Sequence, residues 1–273
     1  MIFIKKCFLA TLCFLWFVSC DSTRLDVLFS KEKEKASGIT VATWNIGHFS
    51  NGAKPYSVIK ADSYDEKLAS FKKILEDMDA DLLFLNEYSE IFGVDKDNKK
   101  QKTKKVLFNN YRTKVFGNQV GFSCNAIFGD LVVTNIKCHE FRNTVAYVKE
   151  LPRVANYYYI SGNLFYKRNN IKIVCAHTIS KNRELCQMMI AEIIDSYKDY
   201  DKVIICGDWN TGDYKKFVNA GFTSANDGSF KTYPQKNYPL DNIFVKGLKI
   251  SNVRLVETDL SDHCPLVCEI SFE

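Results

Sequence analysis

Short runs of apolar residues, some alternating with polar residues and some continuous, recur along the chain and predict β-strands. GITVATWN alternates β-branched residues and ends at Asn45, and ADLLFLNE is an apolar run that ends at Glu87. Further strands are predicted over residues 111–116, 126–136, 157–166 and 171–178, and in KVIICGDWN, LDNIFVKG, ISNVRLV and CPLVCEISF. Turn-forming residues border these runs, so the chain is predicted to be rich in short strands.

Two segments have the periodicity of helices instead. SYDE, at residues 63–66, fits a capping box, and apolar residues then recur at helical spacing as far as Met78. A second helix is predicted from about residue 183 to residue 197, with its apolar positions on one face. The charged segment 95–105 is predicted to be a surface loop. Many strands with few helices between them indicate an α+β domain in which two packed sheets are flanked by helices.

The first residues have the features of a lipoprotein signal peptide. Lys5 and Lys6 precede CFLATLCFLWFVSC, an apolar run that is shorter than the ~20 residues needed to cross a bilayer. FVSC resembles a bacterial lipobox, with Phe17 where leucine is usual, and it predicts a signal peptide over residues 1–19 and acylation of Cys20. The alternative is an uncleaved amphiphilic anchor. In both cases the domain is predicted to be exported and held at the bacterial cell envelope.

Residues 20–37 are predicted to form a polar tether, and residues 38–273 a single domain. The tether is rich in charge and contains KEKEK, which is typical of a solvated segment. The chain is 46% hydrophobic and 25% charged and has no internal repeat, as expected for one globular domain. Its formal net charge of +5 includes Lys5 and Lys6, and so small an excess implies no obligatory nucleic-acid partner.

The cysteines are not arranged as a disulfide framework. Of the ten cysteines, Cys7 and Cys13 lie in the signal peptide and Cys20 would be acylated, which leaves an odd number in the domain. Cys175 and Cys206 lie within β-branched runs, so they are predicted to be small buried core residues.

Polar side chains stand at the ends of several predicted strands. They are Asn45, Glu87, His177, Asp208 with Asn210, Asp241, and Asp262 with His263. A single acidic residue at a strand end is more often a turn former or a helix cap. The whole set is harder to explain in this way, because carboxylates buried without partners would cost several kcal/mol each. Carboxylate and amide oxygens suit Mg²⁺ and histidines transfer protons near neutral pH, so the set suits phosphate-ester hydrolysis.

The motifs that carry these residues resemble those of the endonuclease/exonuclease/phosphatase superfamily, which has the fold of deoxyribonuclease I. TWNIG, LFLNEYSE, VCAHT, GDWN, LDNIF and SDHCPL occur in this order over nearly the whole predicted domain, and GDWN and SDHCP are the most specific. The resemblance implies a four-layer α/β/β/α sandwich with two mostly antiparallel sheets. It also implies a Mg²⁺ site at Asn45 and Glu87, with Asp262 as a further metal-binding or water-positioning carboxylate. Mn²⁺ or Ca²⁺ would act as substitutes for Mg²⁺.

The resemblance implies catalytic roles as well. Asp208 would orient or deprotonate the attacking water, and Asn210 would donate to the phosphate. His263, oriented by Asp241, would be the general base or a phosphate-contacting group. His177 would lie on the other side of the phosphate and donate to an oxygen or assist the leaving group. Which residue is the base, and whether one or two metal ions act, stays open at this point.

Three further residues match the family motifs less clearly or not at all. Arg153 lies where nuclease members place an arginine that contacts a substrate phosphate, and an ordinary surface arginine is the alternative. Asn125 is expected to face the cleft as a substrate-binding residue, although Phe128 and Gly129 stand where the family often has a Ser-Arg pair. His48 is close in sequence to Asn45 and could approach the site, but its loop position favours a histidine that is exposed or braces its own loop.

The substrate is the property that the sequence constrains least. The superfamily includes nucleases, sphingomyelinases, inositol-phosphate phosphatases and deadenylases. The lysine-rich segment 95–105 would follow a nucleic-acid backbone or anionic lipid head groups, or would simply be solvated. We therefore expect a monomeric, exported, lipid-anchored, Mg²⁺-dependent phosphoesterase, with nuclease-like cleavage of phosphodiesters favoured. A sphingomyelinase-like or inositol-phosphate phosphohydrolase is the alternative, and a non-catalytic phosphate-binding module is the competing class.

Overall fold

Two six-stranded β-sheets lie at the centre of the protein. The computed structural model describes residues 38–49, 59–119, 123–142 and 157–272, so the predicted signal peptide, the tether and Arg153 lie outside the described residues. In spatial order, sheet 1 consists of β13 (Lys249–Leu255), β14 (Leu266–Ser271), β1 (Ile39–Asn45), β2 (Leu82–Tyr88), β6 (Cys124–Gly129) and β5 (Thr113–Phe116). Sheet 2 consists of β11 (Thr223–Ser224), β12 (Asp241–Lys246), β10 (Val203–Asp208), β9 (Asn169–His177), β8 (Tyr158–Tyr166) and β7 (Val133–Glu140). A separate hairpin pairs β3 (Ile91–Val94) with β4 (Lys100–Lys102).

Helices pack on the outer face of each sheet. The helices are α1 (Tyr64–Met78), α2 (Thr103–Val106), α3 (Arg183–Tyr197) and α4 (Lys215–Asn219), with short 3-10 turns at Gly47–Phe49 and Pro234–Lys236. Phe71 and Met78 of α1 belong to the apolar layer outside sheet 1. Met189 of α3 and Phe217 of α4 belong to the layer outside sheet 2. Among the described residues, no helix is both long and apolar enough to cross a membrane.

Buried apolar side chains form three layers, one between the two sheets and one outside each sheet, and successive residues of a central strand point into different layers. In β1, Val41 points into the layer between the two sheets and Ala42 into the layer under α1. In β10, Ile204 shares the inner layer and Ile205 lies on the side of α3. All four side chains are buried, which explains why these strands are almost continuously apolar. The predicted α/β/β/α sandwich is confirmed.

The strand register places polar residues at one end of each sheet. β1 runs parallel to β2 and β9 parallel to β10, whereas the other paired strands are antiparallel. In sheet 1, Asn45 is paired with Asn86. In sheet 2, Asp208 is paired with His177 on one side and with Asp241 on the other. The carboxyl-terminal residues of two parallel strands lie at the same edge of a sheet. The polar residues that end β1 and β2, and those that end β9 and β10, are therefore neighbours.

Two strand and loop predictions were wrong in detail. Residues 126–136 belong to two strands, because β6 ends at Gly129 and β7 begins at Val133 in the other sheet. The charged segment 95–105 is not an irregular loop, since it contains the turn of the β3–β4 hairpin and the start of α2. Asp95 orders this turn by accepting hydrogen bonds from the backbone N–H groups of Asp97 at 3.0 Å and Lys99 at 2.9 Å.

The predicted capping box at the start of α1 does not form. Ser63 is the residue before the helix, as expected, but its side chain makes no capping hydrogen bond. Its hydroxyl instead donates to the backbone oxygen of Lys60 at 3.4 Å. The start of α1 therefore relies on packing and on acidic residues in its first turn, which interact favourably with the helix dipole.

Candidate active site

Three buried titratable side chains meet at the polar end of the sheets. Asp208 and Asp241 are 1% and 0% exposed, and His263 is 5% exposed. His263 Nδ1 donates to Asp241 Oδ2 at 2.7 Å. On the other side of the ring, Nε2 lies 3.8 Å from Asp208 Oδ2. These three residues, called the buried triad below, hold the imidazole between two carboxylates and fix its orientation.

The two carboxylates change the protonation of His263. Burial alone would lower its pKa, but Asp241 and then Asp208 outweigh burial and raise the pKa of His263 to about 10. Burial also raises the pKa of Asp241, and the neighbouring His263 opposes that shift. The short hydrogen bond between the two side chains favours the charged pair. His263 is therefore a cation at neutral pH.

Asp208 is the point on which hydrogen bonds from both sheets converge. Its Oδ2 accepts a hydrogen bond from Asn45 Nδ2 of sheet 1 at 2.9 Å. The same oxygen lies 3.5 Å from His177 Nε2 of sheet 2. Its Oδ1 accepts from the backbone N–H of Asn210 at 2.9 Å. Both carboxylate oxygens are thereby satisfied and the side chain is held in one orientation.

Gly207 allows the strands that carry His177 and Asp208 to lie against each other. A Cβ atom at this position would lie 1.8 Å from the backbone oxygen of Ala176 in β9. No side chain fits at that distance, so the glycine of the GDWN motif is required for the close approach of β9 and β10. The register that brings the two catalytic candidates together depends on this approach.

Asn86 connects the two sheets beneath the site, and sequence reasoning missed it. Its Oδ1 accepts from the backbone N–H of Asp208 at 2.8 Å. Its Nδ2 donates to Asn125 Oδ1 at 2.8 Å and to the backbone oxygen of Ala176 at 3.0 Å. A buried amide suits this bridging position because it offers both donors and an acceptor. The available clue was a polar residue inside the apolar run just before Glu87.

Glu87 is directed into the site by an irregularity in β2. The pairing of β2 with β6 shifts between Leu85 and Tyr88, and Glu87 has a φ of 52°. Such a bulge re-aims a side chain, and a non-glycine residue with this backbone costs roughly 1–3 kcal/mol. Burial would raise the pKa of Glu87, but its hydrogen bond with His48 and the charge of His177 lower that pKa to about 2. Glu87 is therefore ionised over the physiological pH range.

His48 lies at the site, although it was predicted to be exposed or to brace its own loop. Its Nε2 lies 3.1 Å from Glu87 Oε2, and its side chain is 16% exposed. The sequence offered no motif for this contact, because it depends on a turn at Gly47–Phe49 in which His48 has a φ of 55°.

Asn45 and Asp262 are joined through the intervening Ser261. Ser261 Oγ donates to the backbone oxygen of Asn45 at 2.8 Å and lies 3.4 Å from Asp262 Oδ1. Asn45 Oδ1 accepts from the backbone N–H of Gly47 at 3.1 Å. Asn45, Glu87 and Asp262 are called the oxygen-donor group below. The end of β1 is thus tied to the turn that carries the last member of this group.

The chemistry of the oxygen-donor group fits a hard divalent cation. Two carboxylates and one amide are oxygen ligands of the kind that Mg²⁺ prefers. The lowered pKa of Glu87 keeps that carboxylate in its ligating form. The buried triad also has metal-ligand side chains, whose ligand atoms lie within 4.8 Å of one another. In the triad, however, His263 is protonated and its Nδ1 is taken up by Asp241, so the oxygen-donor group is the candidate for the cation. The identity of the metal stays a prediction.

A cleft of about 170 Å³ opens beside Glu87 and His177. The other residues that line it are His48, Asn118, Ser123, Cys124, Asn125, Tyr157 and Tyr158. Asn125 lies in the cleft wall, and its Nδ2 donates to the backbone oxygen of Tyr158 at 2.8 Å. Its role in substrate binding stays a prediction. Burial, followed by the charge of Glu87, raises the pKa of Tyr157. The wall is formed mainly by side chains with polar ends.

Asn210 and two tryptophans fix the ends of the strands around the triad. Asn210 Nδ2 donates to the backbone oxygen of Thr178 at 2.7 Å, which leaves one N–H of this amide for a substrate. Trp44 Nε1 donates to the backbone oxygen of His263 at 2.9 Å, and Trp209 Nε1 donates to that of Asn242 at 3.3 Å. Both indole rings are fully buried, so they anchor the turns that carry the site residues.

Comparison with known proteins identifies the family of this fold and site. The model of the Endonuclease/Exonuclease/phosphatase family matches residues 42–263. A protein of that description from Beutenbergia cavernae has a TM-score of 0.67 at 12% identity, covering 86% of this chain and 72% of its own. A mannosyl-6-phosphatase from Bacteroides thetaiotaomicron has a TM-score of 0.60 at 15% identity, covering 86% and 100%. The human Nocturnin catalytic domain with bound sulfate has a TM-score of 0.60 at 18% identity, covering 88% and 95%.

At these identities the solved structures show the fold, and the family model carries the assignment. No curated protein matches the chain. The family model spans most of the chain, including the site residues from Asn45 to His263. The chain therefore belongs to the endonuclease/exonuclease/phosphatase family, as its motifs implied. Membership makes it a phosphoesterase in general.

Proposed function

We propose that the protein is an exported, divalent-metal-dependent phosphoesterase in which Asp208 orients the attacking water. The observation that carries the proposal is the convergence of both sheets on one buried carboxylate. Asn45 donates to Asp208 Oδ2 at 2.9 Å, and two histidines lie 3.5 Å and 3.8 Å from the same atom. An acceptor flanked by two proton-transfer groups suits hydrolysis by an activated water.

Asp208 is the acceptor for a proton of the attacking water. Its orientation is fixed by the hydrogen bonds from Asn45 and from the backbone of Asn210. A water bound to a fixed carboxylate is presented in one direction, which lowers the entropic part of the barrier.

His263 acts as a charged donor rather than as the general base. Asp241 holds Nδ1, and the pKa raised to about 10 keeps the ring protonated at neutral pH. Its Nε2–H then donates to a phosphoryl oxygen and stabilises the charge that develops there. His177, whose side chain is 22% exposed and lines the cleft, donates on the leaving-group side.

The oxygen-donor group would hold the cation. When bound, Mg²⁺ supplies positive charge to the phosphoryl oxygens and to the leaving group. The part played by this chain is to keep Glu87 ionised and to fix the amide of Asn45 between Gly47 and Asp208.

Two substrate classes are supported by different features. A nucleic-acid backbone would be followed by the lysine-rich segment 95–105, but Lys102 is already paired with Glu90 at 3.0 Å. The cleft of about 170 Å³ is small and has polar side chains in its wall. These properties suit a compact, hydroxyl-rich leaving group such as a hexose or inositol, and one structural neighbour is a mannosyl-6-phosphatase. The cleft therefore supports a compact phosphate ester more directly than a polymer.

Export and lipid anchoring rest on the sequence of residues 1–37. Radiolabelled palmitate should enter the full chain expressed in a bacterial host, and Cys20→Ala should abolish the label. Labelling that persists in Cys20→Ala would contradict acylation at this cysteine.

Turnover of a substrate panel by the full chain tests the proposed function. The panel comprises a hexose phosphate, an inositol phosphate, duplex DNA, RNA, sphingomyelin and an aryl phosphodiester, each with Mg²⁺ and with a chelator. Metal-dependent release from the sugar or inositol phosphates supports the proposal in full. Metal-dependent release from nucleic acid or lipid alone would show that the substrate is not a compact sugar phosphate, while the proposed mechanism would still hold. If folded protein releases nothing from any substrate, the proposed enzymatic function is wrong, and the protein is better described as a phosphate-binding module.

A further inference from the structure

His48 contacts a member of the oxygen-donor group although it lies just outside the family motif TWNIG. Its Nε2 lies 3.1 Å from Glu87 Oε2. We infer that His48 is a positioning residue, which holds one carboxylate oxygen of Glu87 and presents the other to the cation. The inference rests on the proposed function, because it requires that a cation binds at Glu87.

The backbone is constrained on both sides of this contact. Gly47, His48 and Phe49 have φ values of 56°, 55° and 63°, and Glu87 has a φ of 52°. Non-glycine residues in this region cost of order 1–3 kcal/mol each and persist when the surrounding structure holds them. The contact therefore joins two strained backbone positions, which is an arrangement typical of ligand sites.

Aromatic packing holds the two strained positions in place. Phe49, the residue after His48, is 4% exposed, and its ring centroid lies 5.2 Å from that of Phe71 in α1. The same ring lies 6.2 Å from the ring of Tyr88, the residue after Glu87. One aromatic cluster thus anchors both partners, and the core sets the separation of the imidazole and the carboxylate.

The hydrogen bond has a direct consequence for cation binding. A donor on Oε2 removes rotational freedom from the Glu87 side chain before the cation arrives, so less entropy is lost on binding. His48 and Glu87 both line the cleft, which places the held carboxylate where a cation can reach it. Partners that hold a metal ligand in this way typically contribute 10–100-fold to metal affinity.

Binding of Mn²⁺ to the full chain tests this role without measuring activity. The electron paramagnetic resonance signal of free Mn²⁺ gives the dissociation constant. His48→Asn keeps a residue that tolerates a positive φ but is too short to carry an N–H to the Nε2 position. His48→Gln keeps an N–H at that position. We expect about tenfold weaker Mn²⁺ binding in His48→Asn and substantial recovery in His48→Gln.

His139 provides the matched control. It lies on β7, where its Nε2 is 2.8 Å from Ser161 Oγ, and it has no part in the proposed site. His139→Asn should leave the Mn²⁺ affinity unchanged. Circular dichroism of every variant should match that of the wild type.

The outcomes separate this inference from the proposed function. Equal Mn²⁺ affinity in wild type and His48→Asn overturns the inference and leaves the proposed function intact. Weakening in His48→Asn that His48→Gln does not restore also overturns it, because the N–H would then not be the operative group. If the wild type binds no Mn²⁺, or if Glu87→Gln leaves its binding unchanged, both the inference and the proposed cation site fail.

Discussion

The two sheets supply the two halves of the site by different means. Sheet 2 contributes His177, Asp208 and Asp241 from adjacent strands in regular register. Sheet 1 contributes Glu87 from a bulge with a left-handed backbone, beside the end of β1 at Asn45. The Asp208 side chain is 1% exposed, whereas that of Glu87 is 30% exposed. In the proposed function, the regular, buried half would hold proton-transfer groups in fixed orientations, and the strained, more open half would leave room for a cation and its waters.

The largest expected effect concerns the buried half. Asp208→Asn removes the carboxylate that we propose as the acceptor for the proton of the attacking water, but keeps the size of the side chain. We expect turnover of the productive substrate to fall by about 10²–10⁴-fold, measured by phosphate release in Mg²⁺. Asp227→Asn changes an exposed aspartate in the same way and should leave turnover unchanged. A loss smaller than tenfold in Asp208→Asn would contradict the role given to this carboxylate.

The buried triad should also dominate stability. His263→Ala leaves Asp241 fully buried without the partner that now lies at 2.7 Å. Breaking a buried charged pair in this way costs about 3–5 kcal/mol, which urea unfolding of the full chain would detect. His177→Ala removes a more exposed ring from the end of β9 and should cost much less. Equal losses in the two variants would show that the triad is not the stabilising element.

The open half should control the metal requirement. Glu87→Gln keeps the shape of the side chain and removes its charge. Because partners that hold a metal ligand contribute at least tenfold to affinity, loss of a ligand charge should raise the Mg²⁺ concentration for half-maximal turnover by at least about tenfold. The maximal rate at saturating Mg²⁺ should fall less than in Asp208→Asn. An unchanged Mg²⁺ requirement would show that the cation does not bind at Glu87.

The buried triad and Glu87 should respond to opposite ends of the pH range. The pKa of His263 is raised from 6.5 to about 10, so its contribution to stability is complete below pH 6.5 and is lost as the pH rises towards 10. The pKa of Glu87 is lowered from 4.5 to about 2, so its contribution is complete above pH 4.5 and is lost as the pH falls towards 2. Urea unfolding with a chelator should show the wild-type advantage over His263→Gln shrinking in alkali. The advantage over Glu87→Gln should shrink in acid, and the reverse dependence would contradict both assignments.

The same contrast explains what the sequence could predict. The candidate residues of sheet 2 stand out in the sequence, because each lies at one end of a strand with a clear apolar pattern and in a motif such as GDWN. The layers of the fold followed from the same strand pattern. The hairpin of β3 and β4 was missed, because a lysine-rich composition resembles a solvated loop when the ordering role of Asp95 is not visible.

Asn86 was missed, and the contact of His48 with Glu87 was not predicted, for physical reasons. Asn86 lies in an apolar run, and the backbone N–H that it binds is 122 residues away on the other sheet. The contact of His48 with Glu87 requires a left-handed turn on one strand end and a bulge on the other. Neither feature leaves a periodic pattern in the sequence, since both arise from tertiary packing.

The most direct test of the account is Mg²⁺-dependent hydrolysis in water enriched in oxygen-18, using the full chain and its productive substrate from the panel. The account predicts one oxygen-18 atom in the released phosphate group per turnover, loss of release with a chelator, and loss of release in Asp208→Asn. Release that continues at the wild-type rate with chelator and in Asp208→Asn would contradict the claim that the two sheets form one metal-dependent hydrolytic site.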